Sequence, residues 1–188
     1  MDVSVILVNW NTRKLLAECI KSIQQHAGDI EYEIIVVDNA SSDGSVEMLE
    51  REFGGVRLIS NEENRGFAAA NNQGMDIAKG RYILLLNSDT RVKERAIEKT
   101  IRFADRRQDA GAVGCQILDD DDVLQMTCFS FPGLWNLFSF TFMLHRVFKR
   151  SRIFGREHML WWKRDTVRQV DVVAGMFMLV RREAIEEV

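Results

Sequence analysis

Four polar clusters each stand directly after an apolar run in this chain of 188 residues. Asn9-Trp10-Asn11 follows residues 3–8, and Asp38-Asn39-Ala-Ser-Ser-Asp-Gly-Ser45 follows residues 34–37. Asn61-Glu-Glu-Asn64-Arg65-Gly66 follows residues 56–59, and Asn87-Ser88-Asp89 follows residues 82–86. Any one of these is ordinary turn or helix-capping chemistry. Four converging on one rim supply donors and acceptors for a nucleoside. Asp89 adds a carboxylate to anchor a divalent cation that faces phosphates.

One rim requires one sheet. The runs at 3–8, 34–37, 56–59 and 82–86 read as short, almost uninterrupted apolar strands, with a fifth at 112–118. Between them, Leu15, Leu16, Cys19, Ile20 and Ile23 recur at helical spacing, as do Val46, Leu49 and Phe53. Ser41, Ser42 and Asp43 offer N-caps to the second of these helices. A third helix is expected over 67–79 with Gly80 as its C′ glycine, and a fourth through Ile97, Ile101 and Ala104. Apolar strands alternating with helices give an α/β fold, a mostly parallel central sheet with helices on both faces. Ligands of such sheets bind at the carboxyl ends of the strands, where the four clusters stand.

Composition removes several other chemistries. A net charge of −3 lacks the basic surplus of a general nucleic-acid binder, so no nucleic-acid partner is expected. Cys19, Cys115 and Cys128 are odd in number and form no C-x-x-C, as expected of reduced, buried thiols. His26, His145 and His158 form no metal-ligand spacing. There is no G-x-G-x-x-G after the first strand and no P-loop motif. No secretory signal opens the sequence, and a cytoplasmic location is the expectation, at the inner face of a membrane if the chain touches one.

The motifs then carry a resemblance. Val5-Ile-Leu-Val-Asn-Trp-Asn11, Ile35-Val-Val-Asp-Asn-Ala-Ser-Ser-Asp-Gly-Ser45, Asn64-Arg-Gly-Phe-Ala-Ala-Ala-Asn-Asn-Gln-Gly74 and Leu84-Leu-Leu-Asn-Ser-Asp-Thr90 resemble the family 2 glycosyltransferases, in register and nearest to their rhamnosyltransferase-like branch. The resemblance implies a GT-A fold and an inverting glycosyltransferase of hexosyl or rhamnosyl type. It implies a nucleotide-diphospho-sugar donor (a UDP- or dTDP-sugar), a Mg²⁺ or Mn²⁺ ion, and a glycan or lipid-linked acceptor of cell-wall or surface polysaccharide. Carried over by position, Asp38 hydrogen-bonds the base, and Asn9, Asn11 and Asn39 lie about the same nucleoside. Asn64, Arg65 and Gly66 close over base and ribose. Asn87-Ser88-Asp89 occupies the D-x-D position, with Asn87 facing the ribose or the metal shell and Asp89 binding the metal. Asn87 departs from the aspartate of many relatives and removes one charge.

Val170-Asp-Val-Val-Ala-Gly-Met-Phe-Met-Leu-Val-Arg-Arg182 resembles the acceptor-side strand and turn, around Ala174 and Gly175. Relatives carry an acidic pair after this segment as general base. Glu183, Glu186 and Glu187 read instead as surface charges of a helix, so the base is expected beyond Val188 and the chain is expected to bind donor without efficient transfer. A non-catalytic nucleotide-sugar-binding or membrane-docking module of the same fold is the competing reading. Both place one domain over 1–188, incomplete at its C-terminal side, with an insertion at about 123–168.

That insertion differs from everything before it. Residues 1–122 carry a net charge of −7, residues 123–144 carry no charge at all, and residues 145–168 carry +6. Ten of the 17 aromatic residues fall within 123–168. The uncharged run is 22 residues long, but Pro132-Gly133 and scattered polar side chains argue against a spanning helix. Trp135, Phe138 and Phe142 recur at helical spacing, followed by Arg146, Lys149, Arg150 and Arg152. That pattern suits membrane-surface contact through 131–156, or equally aromatics packed on a core with solvated arginines. The preceding tetrad, Asp119 to Asp122, reads as a solvated hairpin tip and not as a metal site.

Overall fold

A strand with no polar face must be covered twice, and β1 (Val3–Asn9) is buried along almost its whole length. β2 (Tyr32–Asn39) and β4 (Tyr82–Asn87) flank it in parallel. β3 (Arg57–Asn61) lies parallel beyond β2. On the other side of β4 runs β8 (Phe177–Arg181), antiparallel, and then β5 (Ala112–Gly114), giving the order β3-β2-β1-β4-β8-β5. Register aligns the strand ends: Asn9 pairs with Asp38, Val8 with Asn87, and Asn39 with Asn61. The structure is a computed structural model that describes residues 1–131, 133–148, 151–155, 157–159 and 161–187, with only the backbone of His145 and Arg146. Pro132, Lys149, Arg150, Arg156, Val188 and the side chain of Arg146, all named or spanned above, lie outside the described residues.

Helices cover the two faces by strand parity. Ile6, Ile35, Val37, Ile83 and Leu85 form one buried face with Ala70 of α3 (Phe67–Ile77). α3 sits so close that a Cβ on Gly74 would stand 2.7 Å from Cγ2 of Ile6. Tyr82 points to the opposite face from Ile83, and its hydroxyl donates to Asp105 of α4 (Ala96–Arg106) at 2.9 Å. α1 (Arg13–His26) neighbours the lead-in to α4, where Ser22 Oγ accepts the Val92 N–H at 2.9 Å. The chain leaves β1 toward β2 but enters β4 on β1's other side. That reversal opens a crevice at the carboxyl ends of β1 and β4.

Three local expectations are corrected. α3 ends at Ile77, and Gly80 is not a left-handed C′ residue; it is absent from the positive-φ glycines. Glycine is needed there for close approach, since a Cβ would lie 2.4 Å from the Ser4 nitrogen and 2.6 Å from the Val3 carbonyl carbon. The fifth strand, expected over 112–118, holds only three residues and pairs with β8, which lies between it and β4. The N-cap of α2 (Ser45–Glu52) is Gly44 at φ 80°, not Ser41, Ser42 or Asp43.

The chain divides into two compact units, residues 1–115 with 175–188, and residues 116–174. The second unit is wider than the stretch 123–168 that composition singles out, because it also takes in the acidic tetrad. That tetrad turns a hairpin: Leu118 bridges Leu124, and Asp119 Oδ1 accepts the N–H groups of Asp121 and Val123. β6 (Cys128–Phe129) pairs antiparallel with β7 (Val172–Val173). α5 (Leu134–Thr141) and α6 (Leu144–Val147) follow β6. The first unit closes with α7 (Arg182–Glu186) after β8.

Gly80→Ala should lower stability by about 1–3 kcal/mol through overpacking against backbone. Gly54→Ala, where a Cβ meets nothing within 4 Å, should be neutral or slightly stabilising. Urea midpoints of the two variants check both.

Candidate functional site

Asp38, one residue before the end of β2, has no exposed surface, so its carboxyl group must find partners inside the protein. Register supplies the first: Asn9, also fully buried, donates from Nδ2 to Asp38 Oδ2 at 2.7 Å. The turn supplies the second, the Ser41 N–H donating to Oδ1 at 2.8 Å. The same Asn9 amide also reaches Ser41 Oγ at 3.0 Å. Its carbonyl oxygen accepts the Thr12 hydroxyl at 2.6 Å, and Thr12 Oγ1 stands 3.1 Å from Ser88 Oγ. An unbroken polar chain thus runs Asp38–Asn9–Thr12–Ser88, from the end of β2 across β1 to the end of β4.

Two loops are held to this chain. Asn11, at φ 54°, accepts the Ser42 N–H on Oδ1 at 2.8 Å and donates its own N–H to Ser41 Oγ. Asp43 accepts the Arg13 N–H at 2.8 Å and both the N–H and hydroxyl of Ser45. Burial pushes the Asp43 carboxyl up, but the Ser45 hydroxyl and the surrounding N–H groups outweigh it and hold it below the ordinary aspartate value. Ala40 takes φ 63° between Asp38 and Ser41, a left-handed backbone that costs a non-glycine residue about 1–2 kcal/mol. The turn keeps that conformation because its bonds fix both sides.

A third group forms at the ends of β2 and β3. Asn39 is buried and accepts the Asn61 Nδ2 at 2.9 Å. Asn61 and Gln73 exchange two amide hydrogen bonds, each 2.9 Å, tying β3 to α3. Asn39 Nδ2 approaches the Gly66 carbonyl oxygen at 3.4 Å, and Asn64 Oδ1 accepts the Gly66 N–H at 2.9 Å. Asn64, Arg65 and Gly66 are all exposed. Gly66 takes φ 79° and ψ 167°, a backbone only glycine holds without strain.

The fourth cluster lies beside these. Asn87 is half-buried, Ser88 buried, and Asp89 exposed at the rim. The Asn87 N–H donates to the Met176 carbonyl oxygen at 3.1 Å, which brings Gly175-Met176 alongside it. Gly175 in turn lies near the ring edge of Phe67, whose Cε1 would be 3.6 Å from an added Cβ. Ala174 belongs to the other unit, where its N–H donates to the Thr127 carbonyl oxygen. Cys19 is buried under this cluster; burial first, and then the Asp89 carboxylate, push its thiol up to about 12. Cys19 is therefore no thiolate nucleophile.

For a cation, the donor set here is one exposed carboxylate, Asp89, with the Asn87 amide two residues before it. Among the described residues no group of three or more His, Cys, Asp or Glu side chains could hold a metal by itself. Such a half-site fits an ion of the Mg²⁺ type, which keeps waters and takes its remaining ligands from phosphate oxygens.

Hydrogen bonds join Asn9, Asn11 and Asp38 in one network and Asn39, Gly66 and Asn64 in a second, with Asn87 and Asp89 at the end of β4. Residue spacing misses Thr12, Ser41 and Gln73, which do the connecting. Their types were ordinary for turns and helix faces, and only register reveals which partners they meet. Glu183, Glu186 and Glu187 are exposed on or just after α7.

The family model described as Glycosyl transferase family 2 matches residues 4–188. The chain belongs to this family. It is similar to the glycosyltransferase GlyG of Streptococcus pneumoniae serotype 4, with 38% identity over 99 residues, covering 51% of this chain and 33% of GlyG. Among solved structures, S. aureus TarS 1-349 in complex with UDP-GlcNAc matches at TM-score 0.57 and 21% identity, over 70% of this chain and 39% of that one. The Pyrobaculum calidifontis mannosyltransferase PcManGT, in complex with GDP-Man and Mn²⁺, matches at TM-score 0.60 and 21% identity, over 98% of this chain and 46% of that one. The family 2 chain therefore has the GT-A fold, and it spans about a third of the length of GlyG.

The Asp43 carboxylate, depressed in the folded protein, contributes stability above the ordinary aspartate range, and this is lost as pH falls through its folded value. Asp43→Asn should cost about 1 kcal/mol at neutral pH. It should also flatten the acid limb of a plot of unfolding free energy against pH, measured by urea titration.

Proposed function

We propose that this chain carries the donor site of an inverting glycosyltransferase, and that the donor is a UDP- or dTDP-sugar. The observation that carries this reading is the Asp38–Asn9–Thr12–Ser88 chain, which spans the crevice between β1 and β4. In this reading the Asp38 end receives the nucleoside. Asn11 and Asn39 shape the floor around it, and Asn64, Arg65 and Gly66 close over base and ribose. The open φ, ψ of Gly66 and the space around it let backbone approach a flat ligand closely.

The diphosphate falls toward Asn87 and Asp89. A Mg²⁺ or Mn²⁺ ion bound by Asp89 together with the diphosphate would draw charge from the leaving nucleoside diphosphate. Asn87 orients the ribose or a water of that ion, a role its neutral amide fills without the second charge. The complexes of two structural neighbours, TarS with UDP-GlcNAc and PcManGT with GDP-Man and Mn²⁺, support a nucleotide-sugar and a divalent metal. Gly175, drawn beside Asn87 by the β4–β8 pairing, lines the acceptor side with Ala174, and the acceptor is a glycan or lipid-linked glycan of the cell surface. In-line attack by its hydroxyl needs a general base. No residue of this chain is assigned that task, because Glu183, Glu186 and Glu187 are solvated.

Isothermal titration with UDP and dTDP, with and without Mn²⁺, should show binding that the metal strengthens. Asp89→Ala should remove the metal-dependent part and keep the rest. Asp38→Ala should weaken both by at least tenfold. Failure of the folded chain to bind either nucleotide would overturn the reading.

A further inference from the structure

Thr12 stands at the N-cap of α1, where a threonine hydroxyl ordinarily accepts an N–H of the first turn. Here it makes no such bond, and Asp43, from the loop after β2, takes the Arg13 N–H instead. The Thr12 hydroxyl turns to the strand ends and donates to Asn9 Oδ1 at 2.6 Å. Local rules of this kind are broken mainly at functional sites.

A hydroxyl carries one proton, and Thr12 spends its own on Asn9. Toward Ser88 Oγ, 3.1 Å away, Thr12 is therefore the acceptor and Ser88 the donor. Asn9 Nδ2 in turn donates to Asp38. Every donor in the chain points from β4 toward the buried Asp38 carboxyl group, an order in which each bond polarises the next. Thr12 is the link between β1 and β4, and removing its hydroxyl breaks two consecutive bonds.

The β4 end of this chain is a turn. The Thr90 N–H donates to the Asn87 carbonyl oxygen at 3.1 Å, which makes Ser88 and Asp89 the two central residues. Cys19 Sγ donates to the same oxygen at 3.7 Å, and the Asn87 N–H is held by Met176. Ser88 is held by Thr12. Asp89 is exposed, so the direction of its carboxylate follows from the backbone that Ser88 anchors.

We propose that Thr12 is a positioning residue that couples the two ends of the donor crevice. By holding Ser88 it sets the Asp89 turn for the cation, and by holding Asn9 it sets the nucleoside end. This rests on the donor-site reading and adds that nucleotide and cation strengthen each other through the protein as well as through the diphosphate.

Amide exchange of the 188-residue chain without any ligand tests the anchor by itself. Thr12→Val, which keeps the shape and removes the hydroxyl, should speed exchange of the Thr90 N–H at least fivefold beyond any change shared with the core of β1. Thr12→Ser should restore it. Unchanged Thr90 exchange in folded Thr12→Val overturns the anchor, whether or not nucleotide binds. Titration with UDP and dTDP, with and without Mn²⁺, then tests the coupling. Thr12→Val should weaken metal-free binding about threefold and cut the strengthening by Mn²⁺ at least fivefold, and Thr12→Ser should recover most of both. Ser88→Ala should also cut the strengthening, and the double variant should lose no more than Thr12→Val, because both changes remove one shared bond. Equal losses with and without Mn²⁺, or losses that multiply in the double variant, overturn the coupling. A parent chain that binds neither nucleotide overturns the donor-site reading and the coupling with it, whatever Thr90 exchange shows. Should Thr12→Val not fold, Ser88→Ala carries both measurements.

Discussion

A carboxyl group with no access to water constrains everything near it, and Asp38 is such a group. Left unpaired it would cost several kcal/mol. Its two partners come from separate places, one from the last residue of the neighbouring strand and one from the turn that follows its own. A slip of one residue between β1 and β2 would turn Asn9 away and strand the acid. Register, turn shape and the strained backbone at Ala40 are therefore fixed by a single requirement for satisfaction. Through Thr12 and Ser88 that requirement extends to β4.

This coupling stiffens the rim at the carboxyl ends of β1, β2 and β4. The residues lining it are not free side chains on loops; most accept or donate to another member of the set. Asn61 and Gln73 have the same role at the next strand outward, closing a reciprocal amide pair between sheet and helix. Asn11, Asn64, Arg65, Gly66 and Asp89 stay exposed at its edge. A floor fixed in this way would spend little of a ligand's binding energy on ordering the protein.

Much of this is legible in the sequence alone. Near-continuous apolar runs such as residues 34–37 admit only strands covered on both faces, and the polar residues after them mark the rim. The antiparallel β8 could not be read, because pairing direction is decided by tertiary arrangement and leaves no local signature. Gly80 looked like a helix terminator because glycine at a helix end usually is one; the true demand, room for the backbone of β1, is a long-range contact. In the site, residue types named the acceptors but not the connectors. Thr12 and Gln73 act through partners 76 and 12 positions away in sequence.

The placement of residues 116–174 has a consequence for how such proteins change over time. The segment departs after β5 and returns just before β8, and these two strands pair with each other, Gly114 opposite Met178. Its two ends are thus clamped side by side by sheet hydrogen bonds that do not depend on what lies between them. Loop closure grows only slowly more costly with length, so the excursion can be shortened, extended or exchanged while the sheet stays closed. A lineage could rewrite this one segment and leave the strand ends of β1, β2 and β4 untouched.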